Sequence, residues 1–425
     1  MKRMAILALL LALLAVAVTA GLAAAQGGTW ETKAPMPTAR HGAAGGVING
    51  KLYVAGGHDG TQYLATLEVY DPATNTWASL SPMLTAQHSV GGGVINGKLY
   101  VVGGIGAGNQ KLATLEVYDP ATNTWTTKAP MPTARSGAGV VAIDGKLYVV
   151  GGCVGWCAPT TAVLEVYDPA TDTWTTKASM PTARGVADVA VVDGLLYVMG
   201  GCCGWTVPQS EQMSKTIEVY NPTTNTWTTK TQHLVGAGDT AGSINEKIYV
   251  AKFADSEVYD PATDTWASLS PMPTARYYAA GGVINGKLYV AGGYYETHNL
   301  ATLEAFTPEV TEITVTIDIK PGSFPNSINP RSKGRIPVAI LTTDPFDATT
   351  VDPTTVLFGP TGTEAAPVQS ALEDVDGDGD TDMILHFNTQ DTGIVCGVTS
   401  ASLTGETFAG QAIRGSDSIN TAGCK

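Results

Sequence analysis

Basic residues are scarce in this sequence. Across 425 residues, 24 Lys and Arg stand against 38 Asp and Glu, the formal charge is −14, and no basic cluster occurs anywhere. An acidic surface repels phosphate backbones, which excludes nucleic acid as an expected partner. Histidine is scarcer still: His41, His58, His88, His233 and His298 are scattered, with no HxH or HExxH spacing to build a metal centre or seat a general base. Beyond residue 25 no apolar run is long enough to cross a membrane.

The first 25 residues differ from the rest. Lys2 and Arg3 precede an uncharged apolar run from Ala5, and Ala23, Ala24 and Ala25 offer a small-residue cleavage site before Gln26. That layout predicts a secretory signal, with an uncleaved membrane anchor as the alternative. Its removal takes away two cations and leaves a charge of −16. All six cysteines follow it, as expected where disulfides persist. Cys153, Cys157, Cys202 and Cys203 fall close together, Cys396 and Cys424 stand near the end, and their pairing cannot be read from spacing.

What the chain has in abundance is one repeated segment. LEVYDP occurs from Leu67, Leu115 and Leu164, and returns as IEVYNP from Ile217 and SEVYDP from Ser256. A Trp follows each Tyr by seven residues: Tyr70/Trp77, Tyr118/Trp125, Tyr167/Trp174, Tyr220/Trp227 and Tyr259/Trp266. Within a unit, short stretches rich in Val, Tyr and Leu are bounded by Gly, Asn, Asp and Pro, the pattern of strands joined by tight turns. Asn49-Gly50, Asn96-Gly97 and Asn285-Gly286 are hairpin signals, and Asp144-Gly145 and Asp193-Gly194 serve the same end. Four such strands per unit, repeated at a period near fifty, make propeller blades.

Paired glycines close the second strand at Gly56/Gly57, Gly103/Gly104, Gly151/Gly152, Gly200/Gly201 and Gly292/Gly293. Ala251 and Lys252 replace them in the fifth unit, which should therefore differ locally. Paired glycines, then a Tyr, then a Trp after a short turn resemble the kelch motif over about residues 28 to 310. Six units can be counted, starting near Gly42, His88, Gly137, Gly185, Gly238 and Ala279, which predicts an all-β, six-bladed propeller over residues 26–310. Six Trp strands exist, but they begin with Trp30, ahead of the first unit, while the last unit ends at Phe306 without a Trp. Closure through the Trp30 strand removes an open edge; the alternative puts Ile313 in that place.

Variable loops collect on one face, which is where recognition is expected. They carry His58, Asp59, Tyr63, Asn109, Gln110, Trp156, Trp205, Tyr294, Tyr295, Glu296 and His298. Trp156 and Trp205 occupy one register in GGCVGW and GGCCGW, where two indoles would stack on a sugar or hold a peptide, or else form private cores pinned by disulfides. The PMPTAR turns bring Arg40, Arg135, Arg184 and Arg276 to the same end, with Gln87 and Ala237 at the two remaining positions. A guanidinium ring there would hold a carboxylate. Alternatively, each Arg staples its blade to the next.

After Pro308 the repeat gives way to short alternating strands, predicting a small β-sandwich over residues 311–425. Its EDVDGDGDTDMILHF stretch places Asp374, Asp376, Asp378, Asp380 and Asp382 in nine residues with Gly377 and Gly379 between them. Hard oxygen ligands at that spacing suit Ca2+. The pattern is similar to the start of an EF-hand loop, with Leu385 where the last ligand would be Glu, so a calcium loop between strands is expected. Taken together these features predict a secreted, non-catalytic binding protein with a carbohydrate or protein ligand on the propeller loop face. The alternatives are a mutarotase of sialic-acid type, resembling secreted six-bladed kelch enzymes and drawing on the arginines with Glu211 and Glu296, or a cell-surface adhesion or matrix component.

Overall fold

The computed structural model describes residues 27–155, 159–201, 215–230, 240–309, 312–408 and 410–424. The predicted signal, residues 1–25, lies outside them. Two compact units divide the chain, residues 1–309 and 310–425. No helix among the described residues is long and apolar enough to cross a membrane.

The first unit contains six four-stranded antiparallel sheets, one per repeat. In the first blade the strands are Ala44–Ile48, Lys51–Ala55, Leu67–Asp71 and Thr76–Leu80, in that order from the axis outward. Asn49, at φ 50°, and Gly50, at φ 72°, make the turn between the first two. Both angles are left-handed, which Asn and Gly tolerate. The innermost strands of successive blades touch in a closed circle, the sixth returning to the first. Their close approach leaves no room for a side chain at some positions. A Cβ on Gly45 would sit 2.5 Å from the Gly281 carbonyl oxygen, and one on Gly92 would sit 2.7 Å from that of Gly45.

The sixth sheet takes its outer strand from the start of the chain. Gly28–Lys33 pairs antiparallel with Leu303–Pro308, placing Trp30 opposite Phe306. The Trp30 indole donates to the Ser270 carbonyl at 3.0 Å, as Trp77 does to Ala34, Trp125 to Ser81, Trp174 to Ala129 and Trp227 to Ala178 at 2.8 Å. Each indole thus fastens the segment that enters its own or the neighbouring blade. Ile313 lies elsewhere, pairing with Ile413 in the second unit.

Blade five departs from the others for a visible reason. Its second strand, Lys247–Lys252, runs past the usual stopping point and turns tightly into Asp255–Asp260, with Lys252 opposite Asp255. No long loop leaves the sheet there, so no glycine pair is required.

The second unit is a sandwich of two four-stranded sheets. One contains Ile313–Thr314, Ala412–Ser418, Ser400–Thr407 and Val351–Gly359; the other contains Ile317–Ile319, Arg335–Ile340, Asp382–Asn388 and Gln369–Glu373. Ile319, Val338, Phe358, Leu385, Phe387, Leu403 and Ile413 fill the space between them. Cys396 and Cys424 form a disulfide near the end of this unit.

Candidate functional site

In four blades the repeat places two described residues at the channel mouth: the one after the PMPTAR-type turn and the one after the glycine pair. They meet as isolated bridges, His41 with His58, His88 with Ile105, Ser136 with Cys153, and Tyr277 with Tyr294. Residues from these bridges line a cavity of about 630 Å³ together with Tyr63, Asn109, Lys111, Val186, Tyr278 and Asn299. A volume of that size falls in the range of small-molecule sites.

Three histidines that lie up to 47 positions apart become neighbours here. Ring centroids are 5.4 Å apart for His41 and His58, 5.7 Å for His58 and His88, and 6.1 Å for His41 and His88. Tyr63 stacks on His88 at 4.7 Å, and its hydroxyl donates to the Asn109 amide oxygen. Tyr294 lies 5.4 Å from His41 and Tyr278 lies 6.2 Å from it. The Gly60 N–H donates to His58 Nδ1 at 3.0 Å, so the proton of a neutral His58 is on Nε2. His41 Nδ1 faces the Asn299 amide oxygen at 2.6 Å and donates to it, leaving Nε2 of that ring as an acceptor. Burial holds His41 below its ordinary range. Burial, reinforced by His41 and His58, pushes His88 down to about 4. No carboxylate lines the cavity among the described residues.

The cavity wall is also strained. The second residue after each turn has left-handed backbone: Gly42 at φ 64°, Ser89 at 52°, Gly137 at 58°, Val186 at 53° and Tyr278 at 59°. Gly accepts this freely, whereas a β-branched Val there is an outlier. The conformation lets neighbouring blades hydrogen-bond around the axis, Gly42 N–H to the Tyr278 carbonyl at 2.8 Å and Val186 N–H to that of Gly137 at 2.7 Å. Strain of this kind clusters at functional sites.

The four arginines are not on this surface, which corrects their placement on the ligand-binding face. Arg40, Arg135, Arg184 and Arg276 are fully buried. Their side chains pair with Glu68, Glu165, Glu218 and Glu304, the carboxylates of the LEVYDP-type strands. Each bridges two blades. The Arg276 backbone N–H donates to Phe253 in blade five, while its side chain reaches the Gly292 and Thr302 carbonyls and Glu304 in blade six, the last at 2.6 Å. Each guanidinium is buried in an ion pair with its own protein, and none of the four lines the cavity.

Of the other predicted face residues, His58 and Tyr294 line the cavity, whereas Tyr295 is not among its lining residues and packs against Phe253 at 5.7 Å. Asp59 accepts from Thr61 and Gln62 within its own turn, which holds its carboxyl down at about 2. Trp156, Trp205, Cys157, Cys202, Cys203, Glu211, His233 and Ala237 lie outside the described residues. Cys153 is buried and touches the cavity. His41, His88 and Asn299 were not singled out as a site from sequence. The available signal was register, because His41 and His88 each follow a PMPTAR-type turn directly.

In the second unit, Asp374, Asp376 and Asp382 each offer an oxygen within 4.8 Å of the others, and no other such group of three occurs among the described residues. The three histidine rings therefore do not converge as ligands of one ion. Asp382 is buried and accepts from Thr342 N–H at 2.7 Å and Val375 N–H at 2.9 Å. Asp378 and Asp380 fall outside the group, which narrows the predicted five ligands to three; Asp378 accepts from the Asp380 N–H at 2.9 Å. Desolvation and the Asp378 and Asp382 charges hold Asp376 above its usual range. Three hard oxygens with no basic partner fit a calcium-type cation.

Fold and mouth define a repeat β-propeller with a loop-built pocket. Family comparison agrees: the model of the KLHDC2/KLHL20/DRC7 Kelch-repeats domain matches residues 81–251, and the Kelch motif matches residues 39–84 and 275–311. The repeat unit is a kelch-repeat β-propeller. No curated protein sequence matches the chain. Among solved structures, that described as "Structure of YjhT" is similar in fold, with a TM-score of 0.58 at 17% identity, covering 65% of this chain and 97% of the other.

Proposed function

We propose that this chain is a secreted, non-catalytic binding protein that captures its ligand at the channel mouth, with a calcium ion held in its second unit. The observation that carries the binding reading is a half-buried pocket of imidazole and phenol groups on positions where the repeat is otherwise free to vary. Kelch propellers serve as interaction modules, and function on such scaffolds sits in loops. Secretion rests on the signal-like start and is supported by the Cys396–Cys424 disulfide, a bond that persists in oxidising compartments. The calcium would be held by Asp374, Asp376 and Asp382 and would supply structural cross-linking of their loop to the strand that Asp382 opens.

The test is capture by the intact protein on arrays of glycans and of secreted proteins, compared with a Tyr63→Ala/His88→Ala variant. Capture that disappears in the variant supports the mouth; undiminished capture removes it.

One observation favours a second reading, a carbohydrate-active enzyme. His41 and His58 stand side by side as acceptor and donor, the pairing that acid–base proton transfer uses. Its sialic-acid form is weakened, since the arginines meant to hold the carboxylate are buried in ion pairs. Anomer exchange on a sugar, lost in His41→Ala, would favour this reading over binding alone.

A further inference from the structure

Neither His41 Nε2 nor His58 Nε2 has a hydrogen-bond partner among the described residues, although both rings are half-buried and fixed from behind through Nδ1. The two differ in sense. His41 Nε2 offers a lone pair, and His58 Nε2 offers a proton. They are joined across one bridge with centroids 5.4 Å apart, and both residues line the cavity.

That pairing is selective. A carboxylate has no proton for His41, and an ammonium has no lone pair for His58; either would leave one half-buried nitrogen unsatisfied, which is costly. A hydroxyl gives one bond and takes the other. Resting on the reading of the mouth as the binding site, we infer that the mouth recognises an uncharged sugar residue, one of whose hydroxyls is gripped between His41 Nε2 and His58 Nε2–H. The wall agrees with this chemistry. Tyr63, Tyr278 and Tyr294 supply aromatic surface for the C–H face of a sugar ring, Asn109 and Asn299 supply amides for its rim, and the described lining residues include one lysine, Lys111, but no carboxylate to bind a cationic ligand.

A peptide amide also carries both a donor and an acceptor, but the mouth is poorly built for a peptide. Extended peptides add to an open strand edge, and here the backbone at His41, His58, His88 and Ile105 is already paired. A metal is disfavoured at this pair too. A metal on His58 Nε2 would force its remaining proton onto Nδ1, against the Gly60 N–H that now donates there.

The experiment is ligand-observed saturation-transfer NMR and calorimetric titration of the intact protein. The probes are methyl β-D-glucopyranoside, methyl β-D-galactopyranoside and N-acetylglucosamine, set against N-acetylneuraminic acid and N-acetylglycinamide. At least one neutral sugar should bind, more tightly than the acid or the amide. His41→Ala and His58→Ala should each weaken it at least tenfold, His58→Gln, which keeps a donor, should retain more than His58→Ala, and Lys98→Ala, half-exposed and outside the cavity lining, should match the unaltered protein. Tighter binding of the acid or the amide, again lost in His41→Ala, overturns the neutral-sugar assignment and leaves the mouth standing. Sugar binding indifferent to both histidines overturns the grip. Binding of no probe overturns the sugar class, and the mouth itself then stands or falls on the Tyr63→Ala/His88→Ala array comparison.

Discussion

Both units of this protein crowd carboxylates together, and they deal with the repulsion differently. In the propeller a buried Glu recurs in every blade, Glu68, Glu116, Glu165, Glu218, Glu257 and Glu304, and four of the six face an arginine from the preceding turn. In the second unit Asp374, Asp376 and Asp382 approach one another, and no salt bridge to them occurs among the described residues. One unit carries its counter-ions in its sequence, whereas the proposed calcium would bring the other's from solution. The difference separates what belongs to the fold from what depends on the surroundings.

Breaking the internal solution should have the largest effect. Arg276→Ala leaves Glu304 buried beside the Thr274 hydroxyl, which donates to it at 2.6 Å, but without its cation. Removal of one partner of a buried pair costs about 3–5 kcal/mol. Denaturant unfolding of Arg276→Ala should show a loss of that order, and Arg276→Met with Glu304→Leu should recover most of it. An equal loss in the double variant would mean that the carbonyl contacts of Arg276, rather than its charge pairing, hold the boundary.

Depriving the second unit of a cation should have a smaller effect. A ligand present at a hundred times its dissociation constant stabilises by about 2.7 kcal/mol. Calorimetric scans of the intact chain in calcium and in EDTA should therefore differ in one transition by several degrees. Asp374→Asn with Asp376→Asn should abolish that difference. Superimposable scans for the unaltered protein would reduce the three aspartates to a solvated turn.

The two solutions also differ in how legible they were beforehand. Strand pattern, Tyr–Trp spacing and Asn-Gly turns determine the kelch propeller because each is local, and their repetition leaves one architecture. The arginines were harder to place, since PMPTAR shows a cation but not that Glu68 or Glu304 is turned inward to meet it. A Glu in the second position of a strand reading LEVY was the missing sign, because an ion between Leu and Val in a buried strand requires a partner. The mouth was least legible. Metal and base motifs are searched along the chain, while His41, His58 and His88 are gathered by the closing of a ring. Residues that recur with the repeat proved to be scaffold, and those that break it, such as His88 beside Gln87, line the pocket.

The two boundaries without arginine sharpen the comparison most finely. At one, Gln87 stands in the arginine position, its side-chain oxygen accepting from Thr114 at 3.0 Å, and Glu116 accepts from the Leu84 N–H at 2.9 Å. At the other, where the sequence has Ala237, burial and then the nearby Asp255 push Glu257 up to about 7. The sign follows from the raised value. Between the ordinary 4.5 and about 7 the folded chain keeps a proton that the unfolded chain has released, so stability falls as pH rises through this window. Glu257→Gln removes the titrating group while keeping the shape. Unfolding free energies at pH 5 and pH 8 should show the unaltered protein losing about 2.5 kcal/mol more across the interval than Glu257→Gln does. Equal slopes would show that Glu257 ionises in the fold at no cost, and that the fifth blade has found another way to do what arginine does in four of its neighbours.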